Sequence, residues 1–415
     1  MMNAPLSSSS GATPRLGERT RWDIVALAIL AGIICGIQIG KVPPTLHILR
    51  AELDVGFITA GWIASLVNIC GAVFGVTSGL VIDRAGPRRV IVLSMLILGV
   101  GGTLGAEANS AADLLASRFL EGLGLVGTIV AAPAIIRTAC RPADRNLALG
   151  LWGTYLPAGM ALAFVVAPLA MDGFGWRGFW WGNVMLVGIF TAVVALGMRQ
   201  RHWPDPITAT TAIRPDIRTT LGRPAPWLFA ACFLVYALMF YAVAVWLPSY
   251  LIEAKGWSLT EAALGGAAVV AANIAGNVIS AALMHRGVPR WKLLLTAYLA
   301  YIFCSWFIFA EPAPDTLRLP AAMLFTLVGG LLPAACLAGG AAHARDPSEV
   351  ATLSGVIVQG SNTGSLLGAP VMALAVTMLG GWDQGYWVVV LFGSIGIAIT
   401  VTLLRRTDGD AKSGL

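Results

Sequence analysis

Charge is scarce in this chain: 12% of its 415 residues are Asp, Glu, Lys or Arg, whereas 57% are hydrophobic. The helices of a soluble protein would interrupt their apolar residues with a polar face at helical spacing. Here apolar stretches of about 20 residues follow one another, and each is long enough to cross a hydrocarbon core of about 30 Å. The composition therefore excludes a set of soluble domains and indicates a helical protein that crosses a membrane many times.

Several kinds of chemistry are also missing from the sequence. Only four histidines occur, and there is no HExxH motif, no P-loop and no Ser-His-Asp pattern. The six cysteines lie singly, so their spacing predicts neither a disulfide framework nor a zinc site. We therefore expect no enzyme, no cofactor and no bound metal, and the missing P-loop argues against transport driven by ATP.

The order of apolar runs predicts an all-α integral membrane protein with twelve transmembrane helices, or spans. Their approximate limits are 22–44, 57–82, 89–108, 112–137, 146–170, 178–199, 226–251, 259–284, 292–310, 318–342, 351–378 and 385–404. The longest loop, rich in Pro, Thr and Arg, divides the spans six plus six. The predicted parts are a disordered cytoplasmic tail (1–21), a first six-helix bundle (22–199), a cytoplasmic linker (200–225), a second bundle (226–404) and a second cytoplasmic tail (405–415). Such pseudo-symmetric halves around a central cavity are typical of transporters.

The basic residues predict the orientation of the chain in the membrane. If the N-terminus is cytoplasmic, 21 of the 27 Lys and Arg residues fall on the inner side and four on the outer side. Inner loops of membrane proteins carry such an excess. We therefore expect a bacterial-type inner-membrane protein with both termini in the cytoplasm, and the positive charge needs no nucleic-acid partner to explain it.

Two short patterns predict local structure. Gly36 and Gly40 lie four residues apart on one face of the first span, which is typical of closely packed helices in lipid. Ser258 and Glu261 have the spacing of a capping box at the start of the eighth span.

The charged turn between the second and third spans reads G-L-V-I-D-R-A-G-P-R-R, from Gly79 to Arg89. It resembles the signature loop of the major facilitator superfamily, and Arg118-Phe-Leu-Glu121-Gly122-Leu-Gly124 is similar to a second motif of that family. The resemblance implies secondary transport and a gating role for six residues: Gly79, Asp83, Arg84, Gly86, Arg88 and Arg89. It also implies that the acid latches the two halves near Val350 and Ala351. The alternative is that the loop's arginines are ordinary inner-side anchors.

Two further features bear on the branch of the family. Residues 41–44 (KVPP), 61–62 (GW) and 175–179 (GWRGF) are similar to carriers of the cyanate-permease type. The Gly-Pro dipeptide of the antiporter branch is missing from the fifth span, which weakens an assignment as an exporter.

Charges inside the membrane are the main functional signal, because each costs about 2.5–3.5 kcal/mol at the bilayer centre. Arg118 and Glu121 lie one helical turn apart on the fourth span, so they share a face and can pair. Glu121 is the leading candidate for proton coupling, and the alternative is a purely structural ion pair. Lys41, before Pro43 and Pro44, either snorkels to the interface or lines the outer half of the cavity.

Polar and aromatic residues elsewhere on the inner helices are weaker candidates for substrate binding, because each is more often a helix–helix contact. They are Gln38, Asn68, Tyr155, Tyr236, Tyr241, Asn273, Gln359 and Asn362.

The sequence thus predicts a secondary carrier that works by alternating access. We expect a small anion as substrate, because Lys41 and Arg118 outnumber Glu121 in the candidate cavity. Its expected partners are the lipid bilayer, the solute and protons as coupling ion, and we expect a monomer. Two alternatives stay open. One is proton-driven efflux of drug-like amphiphiles, which is compatible with the fourteen tryptophans because a site for such compounds is aromatic. The other is a transporter-like membrane sensor.

Overall fold

The structure, a computed structural model, describes residues 19–75, 86–200, 222–344 and 349–413. Eleven helical stretches in these ranges are long and apolar enough to cross a membrane. One of them, Pro142–Leu196, has 55 residues, far more than a single crossing needs. Gly175 lies inside it with φ 64°, a left-handed conformation that glycine adopts without strain, and it divides the stretch into two spans. The all-helical, twelve-span prediction is confirmed.

We number the helices in chain order. They are α1 Trp22–Gly40, α2 Val42–Glu52, α3 Phe57–Ser65, α4 Ile69–Phe74, α5 Pro87–Ala106, α6 Ala111–Ala139, α7 Arg145–Trp152, α8 Tyr155–Gln200, α9 Pro224–Lys255, α10 Leu259–His285, α11 Arg290–Phe309, α12 Asp315–Gly329, α13 Leu331–Ala342, α14 Glu349–Leu379 and α15 Tyr386–Ser413. A single 3-10 turn, Leu66–Asn68, joins α3 to α4. We call α1–α8 the first half and α9–α15 the second half.

The helices pack mainly within each half, and a few of them join the two halves. In the first half α1 packs on α6 and α8, and α5 packs on α6; in the second half α9 packs on α14, and α11 packs on α12 and α15. Contacts between the halves come from α3 and α4 on α14, from α2 on α9, and from α8 on α10. These four pairs of helices therefore supply most of the contact between the halves among the described residues.

The helix ends define two faces of the bundle. One face, named here the Arg50 face, carries the connections after α2, α5, α9, α11 and α14. The opposite face, the Arg88 face, carries the start of α5 and the connections after α6 and α10. The capping box at Ser258 and Glu261 is present at the start of α10, on the Arg50 face, as predicted.

The first span differs from its predicted limits. Its helix breaks at Lys41 and resumes as α2, so the apolar helical stretch runs from Trp22 to Glu52 and not to residue 44. Pro43 and Pro44 occupy the first turn of α2. Proline lacks a backbone N–H, but residues in the first turn of a helix do not need one for the helical hydrogen bonds. The prolines therefore start a helix segment, and Lys41 lies well inside the span.

Glycines allow close helix crossings in the first half. A Cβ added to Gly159 of α8 would lie 2.6 Å from the Cα of Gly36 in α1, and a Cβ on Gly40 would lie 3.0 Å from the Cβ of Ala163. The close packing predicted from Gly36 and Gly40 is confirmed. In lipid, van der Waals contact at such crossings supplies much of the association between helices.

We expect Gly159→Ala to lower the stability of the folded protein by about 1–3 kcal/mol, because the added methyl group forces α1 and α8 apart. Melting of the purified protein in detergent measures the change. Gly188→Ala is the matched control, since it lies on the same α8 helix and its added Cβ would have no heavy atom within 4 Å. Equal melting temperatures for the two variants would contradict the assigned crossing.

Candidate functional site

Three fully buried charged side chains lie together in the first half. Lys41 Nζ donates to Oε1 of Glu121 at 2.5 Å, and Arg118 Nη1 donates to Oε2 of the same carboxylate. The pairing of Arg118 with Glu121, expected from their spacing on one helix, is confirmed. We call Lys41, Arg118 and Glu121 the buried cluster.

Lys41 is enclosed on all sides. Its ammonium donates to Gln38 Oε1 at 2.9 Å and lies 4.2 Å from the centroid of the Trp180 ring. Its side chain is 0% exposed. The snorkelling position considered for Lys41 is therefore wrong, because the ammonium is fully buried and its contacts are with Glu121, Gln38 and Trp180.

Arg118 joins α6 to the two irregular spans of the first half. Its Nη1 donates to the Gln38 carbonyl at 3.0 Å, just before the break at Lys41. Its Nε donates to the Ile63 carbonyl at 3.1 Å, just before the 3-10 turn Leu66–Asn68. One guanidinium thus holds the main chain of the first and second spans and the carboxylate of the fourth.

The buried cluster has more positive charge and more donors than its own contacts use. With all three groups ionised it carries two positive charges and one negative charge. Three buried nitrogens beside it, Arg118 Nη2, Gln38 Nε2 and Trp180 Nε1, have no hydrogen-bond partner among the described residues. Buried donors without partners are unfavourable, so such groups mark a place where a further acceptor would be stabilised.

Other candidates lie at the interface between the halves. The hydroxyl of Tyr241 lies 3.5 Å from Oδ1 of Asn68, which joins α9 to the 3-10 turn of the second span. Gln359 Nε2 of α14 donates to the Ala72 carbonyl at 2.7 Å. The side-chain amide of Asn362 lies against Gly71, so there is no room for a Cβ on Gly71. These four side chains therefore contact the opposite half.

The remaining candidates make contacts within their own half. Asn273 Nδ2 donates to the hydroxyl of Tyr236 at 3.2 Å and to the Thr326 carbonyl at 3.0 Å, so it joins α9, α10 and α12. Tyr155 is half-buried and stacks on Trp152 with ring centroids 4.7 Å apart. The structure does not bring Tyr236 or Asn273 into hydrogen-bond contact with the buried cluster.

The signature loop is only partly described. Gly79, Asp83 and Arg84 lie outside the described residues. Gly86 precedes α5 with φ 79°, which favours glycine, and Arg88 and Arg89 are exposed in the first turn of α5. The gating role of these six residues stays a prediction.

Sequence reasoning missed an ion pair between the halves. Arg50 Nη1 donates to Oε1 of Glu253 at 2.6 Å, and the two residues are 203 positions apart. Arg50 is one of the four basic residues that the sequence assigns to the outer side, and no local pattern points to its partner. Trp180, which is buried under Lys41, was not among the candidate residues either.

Comparison with known proteins assigns the family. The family model of the Major Facilitator Superfamily matches residues 28–358. The "Putative niacin/nicotinamide transporter NiaP" of Bacillus subtilis is 23% identical over 293 residues, 68% of this chain and 72% of its own length. The "Probable sulfoacetate transporter SauU" of Cupriavidus necator is 26% identical over 312 residues, 69% of this chain and 70% of its own.

The fold is similar to that of a transporter of known structure. The crystal structure of a bacterial homolog of the human lysosomal transporter Spinster, inward-facing and occupied, superposes with a TM-score of 0.77 at 17% identity, over 93% of this chain and 97% of that chain. Since the family model matches most of the sequence, the chain belongs to the major facilitator superfamily and is a membrane transporter of small solutes, not an enzyme.

Proposed function

We propose that this transporter carries a small organic anion across the bacterial inner membrane by alternating access, together with a proton taken up by Glu121. The observation that carries the proposal is the net positive charge of the buried cluster beside donors that lack partners. The 21-to-4 distribution of basic residues supports a cytoplasmic Arg88 face and an outer Arg50 face.

The unpartnered donors favour an oxyanion. A carboxylate or sulfonate can accept from Arg118 Nη2 and Gln38 Nε2, and hydrogen bonds from a guanidinium to an anion are among the stronger ones in proteins. The two relatives are named for sulfoacetate and for niacin or nicotinamide, and sulfoacetate and niacin are acids of this kind. The names belong to those proteins, and they support the same substrate class here.

The cluster couples anion and proton by charge alone. With Glu121 ionised the cluster has a net charge of one, and protonation of Glu121 raises it to two. An anion bound beside Arg118 therefore increases the proton affinity of Glu121, and a bound proton increases the affinity for the anion by the same factor. Binding of the anion and binding of the proton are therefore cooperative, which favours their movement together.

An alternative is extrusion of drug-like amphiphiles, for which the half-buried stack of Tyr155 on Trp152 provides an aromatic surface. Purified protein in liposomes under an imposed pH gradient separates the two. Proton movement that depends on nicotinate or sulfoacetate supports the anion carrier, and dye extrusion without an anion response supports efflux. A response to no solute would favour a membrane sensor.

We expect Glu121→Gln to reduce uptake driven by the pH gradient by at least about tenfold, because the side chain can no longer take up a proton. Exchange of nicotinate or sulfoacetate across the same liposomes, which needs no net proton movement, should continue. Asp144→Asn is the matched control, since Asp144 also pairs with an arginine three residues away but lies on the surface. Undiminished pH-driven uptake in Glu121→Gln would contradict proton coupling. Equal loss of uptake, exchange and stability would indicate a structural ion pair.

We expect Lys41→Met to raise the KM for the anion about tenfold, equivalent to ~1.4 kcal/mol. The substitution leaves Arg118 and Glu121 as a neutral pair, so the attraction for an anion falls. Uptake measured against anion concentration gives the KM. Lys292→Met, which removes an exposed lysine on the Arg88 face, should leave it unchanged. An unaltered KM in Lys41→Met would count against the role of the cluster charge.

A further inference from the structure

A second set of contacts joins the halves at the Arg50 face. Arg50 of α2 pairs with Glu253 of α9, and its guanidinium carbon lies 3.5 Å from the centroid of the Phe57 ring. Phe57 begins α3, so the arginine covers an aromatic ring of its own half while it binds a carboxylate of the other. None of these residues belongs to the buried cluster.

Phe57 enters an aromatic socket in the second half. Its ring centroid lies 5.5 Å from that of Trp246 and 5.6 Å from that of Trp382. The two tryptophans are in edge contact with each other at 5.6 Å, and Trp246 Nε1 donates to the Ala369 carbonyl at 2.9 Å. We call Trp246 and Trp382 the socket.

Residues of the second half hold the socket in place. Tyr250 packs on Trp382 at 5.7 Å, and its hydroxyl donates to the Ile308 carbonyl at 2.9 Å. Arg318, 2% exposed, donates to that hydroxyl at 2.9 Å. Because these supports lie within one half, the socket can persist when the halves separate, whereas its contacts with Phe57 must then be lost.

The main chains of the two halves meet beside the socket. A Cβ on Gly61 of α3 would lie 2.9 Å from the Ala369 carbonyl oxygen and 2.9 Å from Pro370 Cα, both in α14. The same Ala369 carbonyl accepts from Trp246. The three atoms nearest to an added Cβ on Gly61 thus belong to the opposite half, so a larger residue there would press on the contact between the halves.

We propose that these contacts form the gate that closes the Arg50 face, with Phe57 as its plug and the Arg50–Glu253 pair over it. The proposal rests on alternating access, the mechanism proposed above. The ion pair is partly exposed, and such pairs contribute little because water screens them. The plug in its socket and the close approach at Gly61 therefore supply most of the closure.

The opening can be measured as the distance between two spin labels, one on Asp54→Cys and one on Glu311→Cys. Both positions are exposed on this face, and each lies in a different half. The six native cysteines are buried. We expect Gly61→Val to raise the fraction of molecules with the longer distance about threefold or more, since its side chain excludes the closed state. Gly56→Val, at the start of the same helix with no atom within 4 Å of an added Cβ, should match the parent protein.

Phe57→Ala provides a second test if Gly61→Val does not fold. We expect it to open the face more than Glu253→Gln does, because Phe57 stabilises the closed state more than the ion pair does. Unchanged distances in folded Gly61→Val and Phe57→Ala would overturn the proposed gate. A larger opening in Glu253→Gln than in Phe57→Ala would also overturn it. These distances are measured without any solute, so they test the gate even if the anion proposal fails.

Discussion

The exclusion of water from three charged groups is the constraint on which the first half depends. Glu121 has both carboxylate oxygens occupied, one by Lys41 and one by Arg118. Glycines of α5 make room for it: a Cβ on Gly101 would lie 2.8 Å from the Glu121 main-chain nitrogen, and one on Gly102 would lie 3.5 Å from its Oε1. Removing one partner of a buried pair leaves an uncompensated charge, so the helices that carry these groups must stay together.

Helix α3 connects this constraint to the interface between the halves. Its Ile63 carbonyl accepts from Arg118, its Gly61 touches α14, and its Phe57 enters the socket. The three residues lie within two turns of one helix. A movement of α3 that separates the halves at the Arg50 face would therefore act directly on the guanidinium that binds Glu121. Helix α3 therefore provides a physical route between the proposed proton uptake at Glu121 and the proposed opening of the Arg50 face.

Local patterns in the sequence predicted the features that depend on neighbours along the chain. Apolar runs gave the spans, the spacing of Arg118 and Glu121 gave their pairing, and Ser258 with Glu261 gave the helix cap. The snorkelling position considered for Lys41 was wrong, because a pair of prolines is found both after the end of a helix and in the first turn of the next helical segment. Arg50 and Glu253 could not be matched, since only the packing of α2 on α9 brings them together.

The buried cluster is proposed to bind an anion and to take up a proton at the same time. The most direct measurement is the proton balance of binding, followed with a pH dye in a weakly buffered detergent solution of the purified wild-type protein. Addition of nicotinate or sulfoacetate, at a matched pH, should draw protons from solution in proportion to the anion bound, approaching one per site. Saturable binding with no proton uptake at any pH would contradict the account.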